Sequence, residues 1–179
     1  IVIEAVTKIT DGSDVSAIGV TGQMHGILYL DENNAPASPL FTWQDLRGNE
    51  KFEGGMTYAE YLTENTGHKA ATGYGLTTHF YNLKNKLVPK RARKISTIHD
   101  YIVSHLTDSV PVTHSSDAAS LGFYDLRHHQ FDNVALLEAG IDPEILPKVI
   151  KNTRIAGTTS CEFLPIVNVP ILQPAILLS

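Results

Sequence analysis

A polar turn enclosed by two strand-like segments constrains the fold of this chain more than any other feature of its sequence. Ser16–Val20 predicts a strand that enters the turn Thr21–His25, and Gly26–Asp31 predicts a strand that leaves it. Gln23 carries an amide donor and a carbonyl acceptor, and the neutral ring of His25 carries one of each. Because residues two apart share one face of a strand, we expect both side chains to point the same way from a partly buried backbone.

Helical spacing of apolar residues between the strand-like segments places the chain in the α/β class. Asp11 and Gly12 end the first predicted helix, Gly54 and Gly55 weaken the second, and Pro89 interrupts the third. We predict helices over residues 1–10, 48–66, 78–87, 99–107 and 136–139, a turn at 31–36, a loop at 67–77, a strand at 121–126, a helical turn from 142, and strands and loops over 151–179.

A second polar segment combines an aromatic plate with three kinds of polar group. Trp43 is followed by the amide of Gln44, the carboxylate of Asp45 and the guanidinium of Arg47. A polyhydroxylated ligand is bound by such a mixture, with a flat apolar face under its C–H groups and directional partners at its O–H groups. The ordinary alternatives are a structural Trp43 and a surface ion pair between Asp45 and Arg47 that contributes little energy.

The composition fits one globular domain and argues against several partner classes. The chain has 179 residues, 42% of them hydrophobic, and its net charge of −5 argues against a nucleic-acid groove. The basic residues between Lys84 and Lys94 are interpreted as a solvated helix end or loop. Cys161 is the only cysteine, and no apolar run reaches the length of a membrane span. With no visible signal peptide, the sequence predicts a cytoplasmic protein that binds neither nucleic acid nor membrane.

The sequence shows no recognisable motif for a structural metal or for a phosphate loop. None of the eight His residues stands in a His-x-x-x-His spacing with a helical Glu, and no pair of cysteines accompanies them. We therefore expect no structural zinc site. Gly157–Ser160 resembles a phosphate turn only superficially and is interpreted as a loop.

Five short motifs of the sequence together point to a known family. Val-Thr-Gly-Gln-Met-His-Gly stands at 20–26 with Trp-Gln-Asp-Leu-Arg at 43–47, and three further motifs are Thr-Gly-Tyr-Gly at 72–75, Thr-Ile-His-Asp-Tyr at 97–101 and Asp-Ala-Ala-Ser at 117–120. This series resembles the FGGY carbohydrate kinases, which phosphorylate sugars and polyols with ATP. The details are most similar to the sedoheptulokinase branch, whereas xylulokinases more often carry Asn between the Trp and the Asp.

The resemblance implies a fold, a reaction and a set of binding residues. The implied fold is the ribonuclease H-like, actin-like ATPase domain, with a mixed sheet and flanking helices. The implied substrate is a ketose such as sedoheptulose or xylulose, the cofactors are ATP and Mg²⁺, and the family often forms homodimers. In this role Asp45 accepts hydrogens from sugar hydroxyls, and Arg47 orients Asp45 or another carboxylate. The implied sugar-binding residues are Gln23, Met24, His25, Trp43, Gln44, Asp45, Arg47, Asp100 and Asp117.

Two elements of the family are expected outside residues 1–179. An Asp-x-Gly-Thr turn that handles phosphate and Mg²⁺ would precede Ile1, and a Gly-Asp-x-Gln-Ala motif with the catalytic base would follow Ile176. We therefore interpret residues 1–179 as a partial N-terminal, sugar-binding domain without the base or the C-terminal nucleotide domain, and expect it to be inactive alone. The alternative function is a non-catalytic sugar-binding or regulatory module of the same fold.

Several candidate residues also have a purely structural interpretation. The turn Gln23–His25 could be held by its own side chains, and Met24 could fill a gap in the core. Asp100 could supply a negative charge at a helix N-terminus, and Asp117 could cap a short helix. These alternatives are separated by burial and by hydrogen-bond partners.

Overall fold

Short strands alternate with helices along the chain, as the sequence predicts. A computed structural model describes residues 1–11, 14–151, 155–159 and 170–172. The helices are α1 Val2–Thr10, α2 Tyr58–Thr66, α3 Gly75–Lys84, α4 Ile98–Thr107, α5 Ser115–Leu121 and α6 Asn133–Glu138. The strands are β1 Ile18–Gly19, β2 Leu28–Leu30, β3 Lys94–Ser96, β4 Val112–His114, β5 Tyr124–Asp125, β6 Gln130–Phe131, β7 Lys148–Ile150, β8 Ile155–Thr158 and β9 Pro170–Leu172. Single 3₁₀ turns occupy Arg47–Asn49, Glu53–Gly55 and Pro143–Ile145.

The strands that flank the polar turn belong to different sheets. β1 runs parallel to β9, and β9 runs antiparallel to β8, so these three strands form a mixed sheet. β2 instead pairs with β3 in an antiparallel ribbon, with Tyr29 opposite Ile95. β4 and β7 form a parallel pair, and β5 and β6 an antiparallel pair. The polar turn therefore carries the chain from one sheet to another rather than closing a hairpin.

Two hydrophobic clusters meet at this crossing. The larger cluster packs α2, α3, α5 and α6 around β2, with Tyr29, Leu76 and Phe80 fully buried. The smaller cluster packs α4 against the mixed sheet and includes Val20. Since Val20 belongs to the smaller cluster and Ile27 to the larger one, both ends of the turn are fixed by packing while its middle stays near the surface.

The predicted helix over 48–66 is wrong in its first half. The chain there makes two 3₁₀ turns, and α2 begins only at Tyr58. Gly54 and Gly55 have positive φ angles of 63° and 79°, which a continuous right-handed helix does not allow. The true start is a capping box in which Thr57 accepts from the Glu60 backbone while the Glu60 side chain accepts from Thr57.

The predicted helix over 78–87 is displaced toward the N-terminus. α3 occupies Gly75–Lys84, so its first turn lies in the segment that was predicted as loop. Leu87, the last residue of the predicted helix, is 54% exposed because the helix ends before it. β3 was not predicted, and it begins at the last residue of the basic segment because Ile95 fills the core opposite β2.

The strand predicted over 121–126 is reduced to β5, and Gly157 and Thr158, which were predicted as loop, belong to β8. The remaining predicted elements agree with the structure. The helix at 1–10 is α1, that at 99–107 is α4 with one more residue, and that at 136–139 is the end of α6. The side chain of Asp142 accepts a hydrogen bond from the Glu144 backbone and opens the predicted helical turn. Cys161 and residues 173–179 lie outside the described residues. Within the described ranges, the structure contains no helix long and apolar enough to cross a membrane.

Candidate functional site

His25 is held in one orientation at the middle of the polar turn. Its φ of 70° lies in the left-handed region, so the turn is a bend and not the strand face that was predicted for Gln23 and His25. The His25 backbone N–H donates to Oγ of Ser120 at 3.3 Å, and its Nδ1 bonds the Ser120 carbonyl oxygen. Because a carbonyl oxygen can only accept, Nδ1 carries the proton, and Nε2 of the neutral ring is left as an acceptor.

The ring of His25 also rests against the loop that precedes α3. It stacks on Tyr74 with 4.5 Å between ring centroids and 14° between the planes. Ser120 in turn donates from Oγ to the Asp117 carbonyl at 2.8 Å within α5. The turn is therefore attached to α5 and to Tyr74, and the alternative that its own side chains hold it does not describe these contacts.

A buried ion pair lies directly behind the start of the turn. Nε2 of His99 is 3.0 Å from Oδ1 of Asp117, and the two side chains are 1% and 0% exposed. A Cβ added to Gly22 would lie 2.7 Å from Nδ1 of His99, so only glycine lets the backbone approach this closely. Asp117 does not cap α5, because the cap is His114, whose ring accepts from the Ser116 backbone.

The charges of this buried group depend on one another. Burial by itself lowers the pKa of His99, but the hydrogen bond to Asp117 and the negative charges of Asp100 and Asp117 raise it above its ordinary value. Burial raises the pKa of Asp100 to about 6, against the lowering effects of His99, Thr97 and Thr113. Asp100 is buried and borders a separate cleft of 70 Å³ beside Val103 and Ala156. It is therefore not part of the exposed surface that the other predicted residues form.

The second polar segment presents a plate and an oriented carboxylate. The Trp43 side chain is 55% exposed, which excludes a core role, and Gln44 is exposed beside it. Nε and the backbone N–H of Arg47 both donate to Oδ1 of Asp45, at 2.7 and 3.1 Å. Among the residues the structure describes, Oδ2 of Asp45 has no hydrogen-bond partner. The ion pair that was predicted as an ordinary alternative is present, and it leaves one carboxylate oxygen free to accept.

The loop before α3 supports this segment and joins it to the polar turn. Gly73 has a φ of 83°, and a Cβ there would lie 2.1 Å from the carbonyl oxygen of Trp43. The hydroxyl of Thr72 donates to the Asp45 carbonyl at 3.1 Å. Since Tyr74 follows directly and stacks on His25, three consecutive residues connect the two predicted parts of the site.

A buried polar network beneath Arg47 was missed by the sequence reasoning. Arg47 donates from Nη1 to Oδ1 of Asn82, and Nδ2 of Asn82 donates to the Tyr29 hydroxyl at 3.1 Å. The Tyr29 hydroxyl lies 2.8 Å from Nδ1 of His79. The only signal in the sequence is that His79 and Asn82 are polar residues three apart on α3, a spacing that places them on one helix face next to Phe80.

The predicted residues form an exposed surface with two parts. His25, with half-buried Gln23 and Met24, makes the first part, and Trp43–Arg47 makes the second. Asp117 lies beneath the first part, and Asp100 is not brought to the surface. Clefts larger than the 70 Å³ cleft beside Asp100 lie elsewhere, among them one of 190 Å³ beside α4 and one of 460 Å³ beside α2. We give the exposed surface more weight than these clefts because it carries the directional polar groups. In the described part of the chain no three His, Cys, Asp or Glu residues are grouped to hold a metal ion.

Comparisons with known proteins agree on one family. The sequence profile for the N-terminal domain of the FGGY family of carbohydrate kinases matches residues 1–174. The chain is 30% identical over 152 residues to a xylulose kinase of Streptomyces rubiginosus, an alignment that spans 81% of this chain and 31% of that protein. It is 32% identical over 163 residues to a sedoheptulokinase of Mus musculus, spanning 82% of this chain and 33% of the relative. The chain thus spans about a third of the length of these relatives.

Solved structures show the same fold. A ligand-bound xylulose kinase from Lactobacillus acidophilus superposes with a TM-score of 0.78 at 23% identity, over 97% of this chain and 37% of that one. A glycerol kinase from Plasmodium falciparum with ADP superposes with a TM-score of 0.79 at 19% identity, over 97% of this chain and 38% of that one. At these identities the likeness defines the mixed α/β fold of the chain and not its substrate.

Proposed function

The chain belongs to the FGGY family of carbohydrate kinases, and we propose that it is the sugar-binding part of an enzyme that phosphorylates a ketose with ATP. Relatives named xylulose kinase and sedoheptulokinase support a ketose with five to seven carbons. We also propose that the domain has the ribonuclease H-like, actin-like ATPase fold of this class. A second domain for the nucleotide, and assembly as a homodimer, are parts of the same proposal.

The observation that carries the proposal is the pairing of an exposed aromatic plate with oriented acceptors. Trp43 would cover the C–H face of the sugar, and the free Oδ2 of Asp45 would accept a hydrogen from a hydroxyl. His25 would accept another hydroxyl hydrogen at Nε2, since Ser120 fixes the proton on Nδ1. Gln23, Met24 and Gln44 complete the surface, and Asp117 supports it from below through Ser120.

These residues would contribute by positioning and not by proton transfer. Held at several hydroxyls, the ketose presents one terminal hydroxyl in a fixed direction, and such orientation accounts for a large part of a phosphoryl transfer rate. ATP supplies the phosphoryl group, and Mg²⁺ bound with it neutralises developing charge. By resemblance to the family, we assign the Mg²⁺ ligands and the catalytic base to other parts of the intact protein.

A kinase assay on the intact protein tests the proposal. We expect ADP release that depends on D-xylulose or sedoheptulose, with lower kcat/KM for glycerol and gluconate. Residues 1–179 alone should release no ADP with any of these sugars. If the intact protein binds a ketose by calorimetry but never releases ADP, it is a non-catalytic binding module instead. If it neither binds nor phosphorylates any of these compounds, the proposed function is wrong.

A further inference from the structure

The hydrogen bonds of the buried network beneath Asp45 all run in the same donor-to-acceptor direction. We propose that Asn82 and Tyr29 are positioning residues that hold Asp45, through Arg47, in its sugar-binding orientation. The inference rests on the proposed function, since Asp45 is assigned there to a sugar hydroxyl. Neither Asn82 nor Tyr29 would touch the substrate. Their effect would pass through the guanidinium that fixes Asp45.

The hydrogen bonds of the network can be satisfied in only one arrangement. Arg47 has donors and no acceptor, so the atom of Asn82 that it meets must be the carbonyl Oδ1. This orients Nδ2 of Asn82 toward the Tyr29 oxygen, where it donates at 3.1 Å. The Tyr29 hydroxyl lies 2.8 Å from Nδ1 of His79 and donates its hydrogen there, since the opposite direction would leave that hydrogen buried without an acceptor. His79 is therefore the neutral tautomer with its proton on Nε2.

Burial keeps this arrangement from changing with pH near neutrality. Tyr29, His79 and Asn82 are all buried, at 2% exposure or less. Burial lowers the pKa of His79 to about 4, so the ring stays neutral and continues to accept from Tyr29. Burial likewise raises the pKa of Tyr29 to about 12, so its hydroxyl keeps the hydrogen that it donates.

The network ends at a guanidinium that is confined on its other sides. The Arg47 guanidinium carbon lies 4.6 Å from the centre of the Phe41 ring and 5.3 Å from that of Tyr81. With Asn82 fixing Nη1, the Nε–H is aimed at Oδ1 of Asp45 and only Oδ2 remains for a ligand. A carboxylate whose direction is set before binding loses less rotamer freedom when the sugar arrives.

Two matched Tyr→Phe variants test the proposal in the intact protein. Tyr29→Phe removes the oxygen that accepts from Asn82, and Tyr58→Phe removes one that accepts from Asn85 at 2.8 Å, a contact outside the network. Loss of one such hydrogen bond predicts about a fivefold rise in the ketose KM for Tyr29→Phe, with the ATP KM unchanged. Tyr58→Phe should leave both KM values at the wild-type level. Equal ketose KM values in the two variants would overturn the proposal.

An NMR measurement without substrate tests the hydrogen-bond network independently of the proposed sugar kinase activity. In protein labelled with ¹⁵N-histidine, His79 should give the signals of a neutral ring protonated at Nε2, without titration between pH 6 and 8. Tyr29→Phe should shift the His79 Nδ1 signal, and Tyr58→Phe should not. A His79 ring that is protonated at Nδ1 would refute the network even if the protein is a ketose kinase. If the wild-type protein accepts no ketose, the proposed function fails and the positioning role fails with it, whatever the NMR result.

Discussion

Two buried polar clusters lie behind the candidate site. One consists of neutral groups, and the other contains groups of opposite charge. The Tyr29 cluster, formed by Tyr29, His79 and Asn82 below Arg47, is a line of hydrogen bonds between neutral groups. The His99 cluster, formed by His99, Asp100 and Asp117 below Gly22, contains a buried pair of opposite charges. Among the described residues, Nδ1 of His99 and Oδ2 of Asp117 have no hydrogen-bond partner.

The difference shows that burial alone does not determine how a histidine behaves. His79 and His99 are both almost fully buried, yet the pKa of His79 falls to about 4 and that of His99 rises. The neighbour decides the outcome, because a neutral tyrosine cannot compensate the burial of an imidazolium and a carboxylate can. We therefore expect the Tyr29 cluster to keep its protonation state near neutral pH, whereas the His99 cluster changes its protonation state closer to neutrality.

The largest expected effect comes from breaking the buried ion pair. His99→Leu leaves the Asp117 carboxylate buried without its partner, and we expect the free energy of unfolding to fall by about 3 kcal/mol or more. His128→Leu is the matched control, because His128 pairs with Asp125 at 2.6 Å on an exposed surface. Its effect should be much smaller, because an ion pair exposed to solvent contributes little to stability. Urea denaturation measures both, and similar losses would show that burial does not separate the two pairs.

The next effect is a pH dependence with opposite sign in the two clusters. The folded state raises the pKa of Asp100 from 3.8 to about 6, so its stabilisation is present below pH 3.8 and is lost as pH rises through 6. His99 contributes in the same sense, because its folded pKa is also raised. Between pH 4 and 7, Asp100→Asn should gain up to about 3 kcal/mol relative to the wild type. Parallel stability curves would contradict this assignment.

The Tyr29 cluster should show the reverse trend. The folded state lowers the pKa of His79 from 6.5 to about 4, so its stabilisation is present above pH 6.5 and is lost as pH falls through 4. His79→Asn keeps an acceptor for Tyr29 but removes the titrating ring. The wild type should therefore lose up to about 3 kcal/mol relative to this variant between pH 7 and 4. A stability difference that does not change with pH would contradict this assignment, because His79 would then protonate as readily in the folded protein as in the unfolded chain.

A smaller effect tests how tightly the polar turn rests on the His99 cluster. Gly22→Ala places a Cβ 2.7 Å from Nδ1 of His99, and we expect a loss of about 1–3 kcal/mol from overpacking. Gly19→Ala is the control, because a Cβ there meets nothing within 4 Å. Equal losses in urea denaturation would show that the close approach at Gly22 does not matter. If Gly22→Ala costs less in a His99→Leu background, the two residues are coupled.

The sequence predicted the exposed part of the site better than its support. Trp43, Asp45 and Arg47 lie within five consecutive residues, so they remain close together whatever the fold of the rest of the chain. The pairing of His99 with Asp117 joins residues 18 apart, and the contact of Tyr29 with Asn82 joins residues 53 apart. Such contacts depend on how β2, α3, α4 and α5 pack, and no local spacing encodes them.

The errors in the predicted fold have the same origin. The helix at 48–66 was drawn from its apolar spacing, while the Thr57–Glu60 capping box that starts α2 was overlooked. β3 was overlooked because it directly follows a basic segment and only Ile95 of its three residues is apolar. By contrast, α4 was predicted to within one residue, because the spacing of apolar residues inside the segment is itself typical of a helix.

The most direct test of the central claim is calorimetric titration of the intact protein with D-xylulose and sedoheptulose. We predict saturable binding of at least one ketose, weakened about tenfold or more in Asp45→Asn, because the amide turns one acceptor oxygen into a donor. Asp125→Asn, an equivalent change at the end of β5 that lies outside the proposed sugar-binding surface, should bind as tightly as the wild type. Equal affinities of the wild type and Asp45→Asn would contradict the account, because the oriented carboxylate would then take no part in sugar binding.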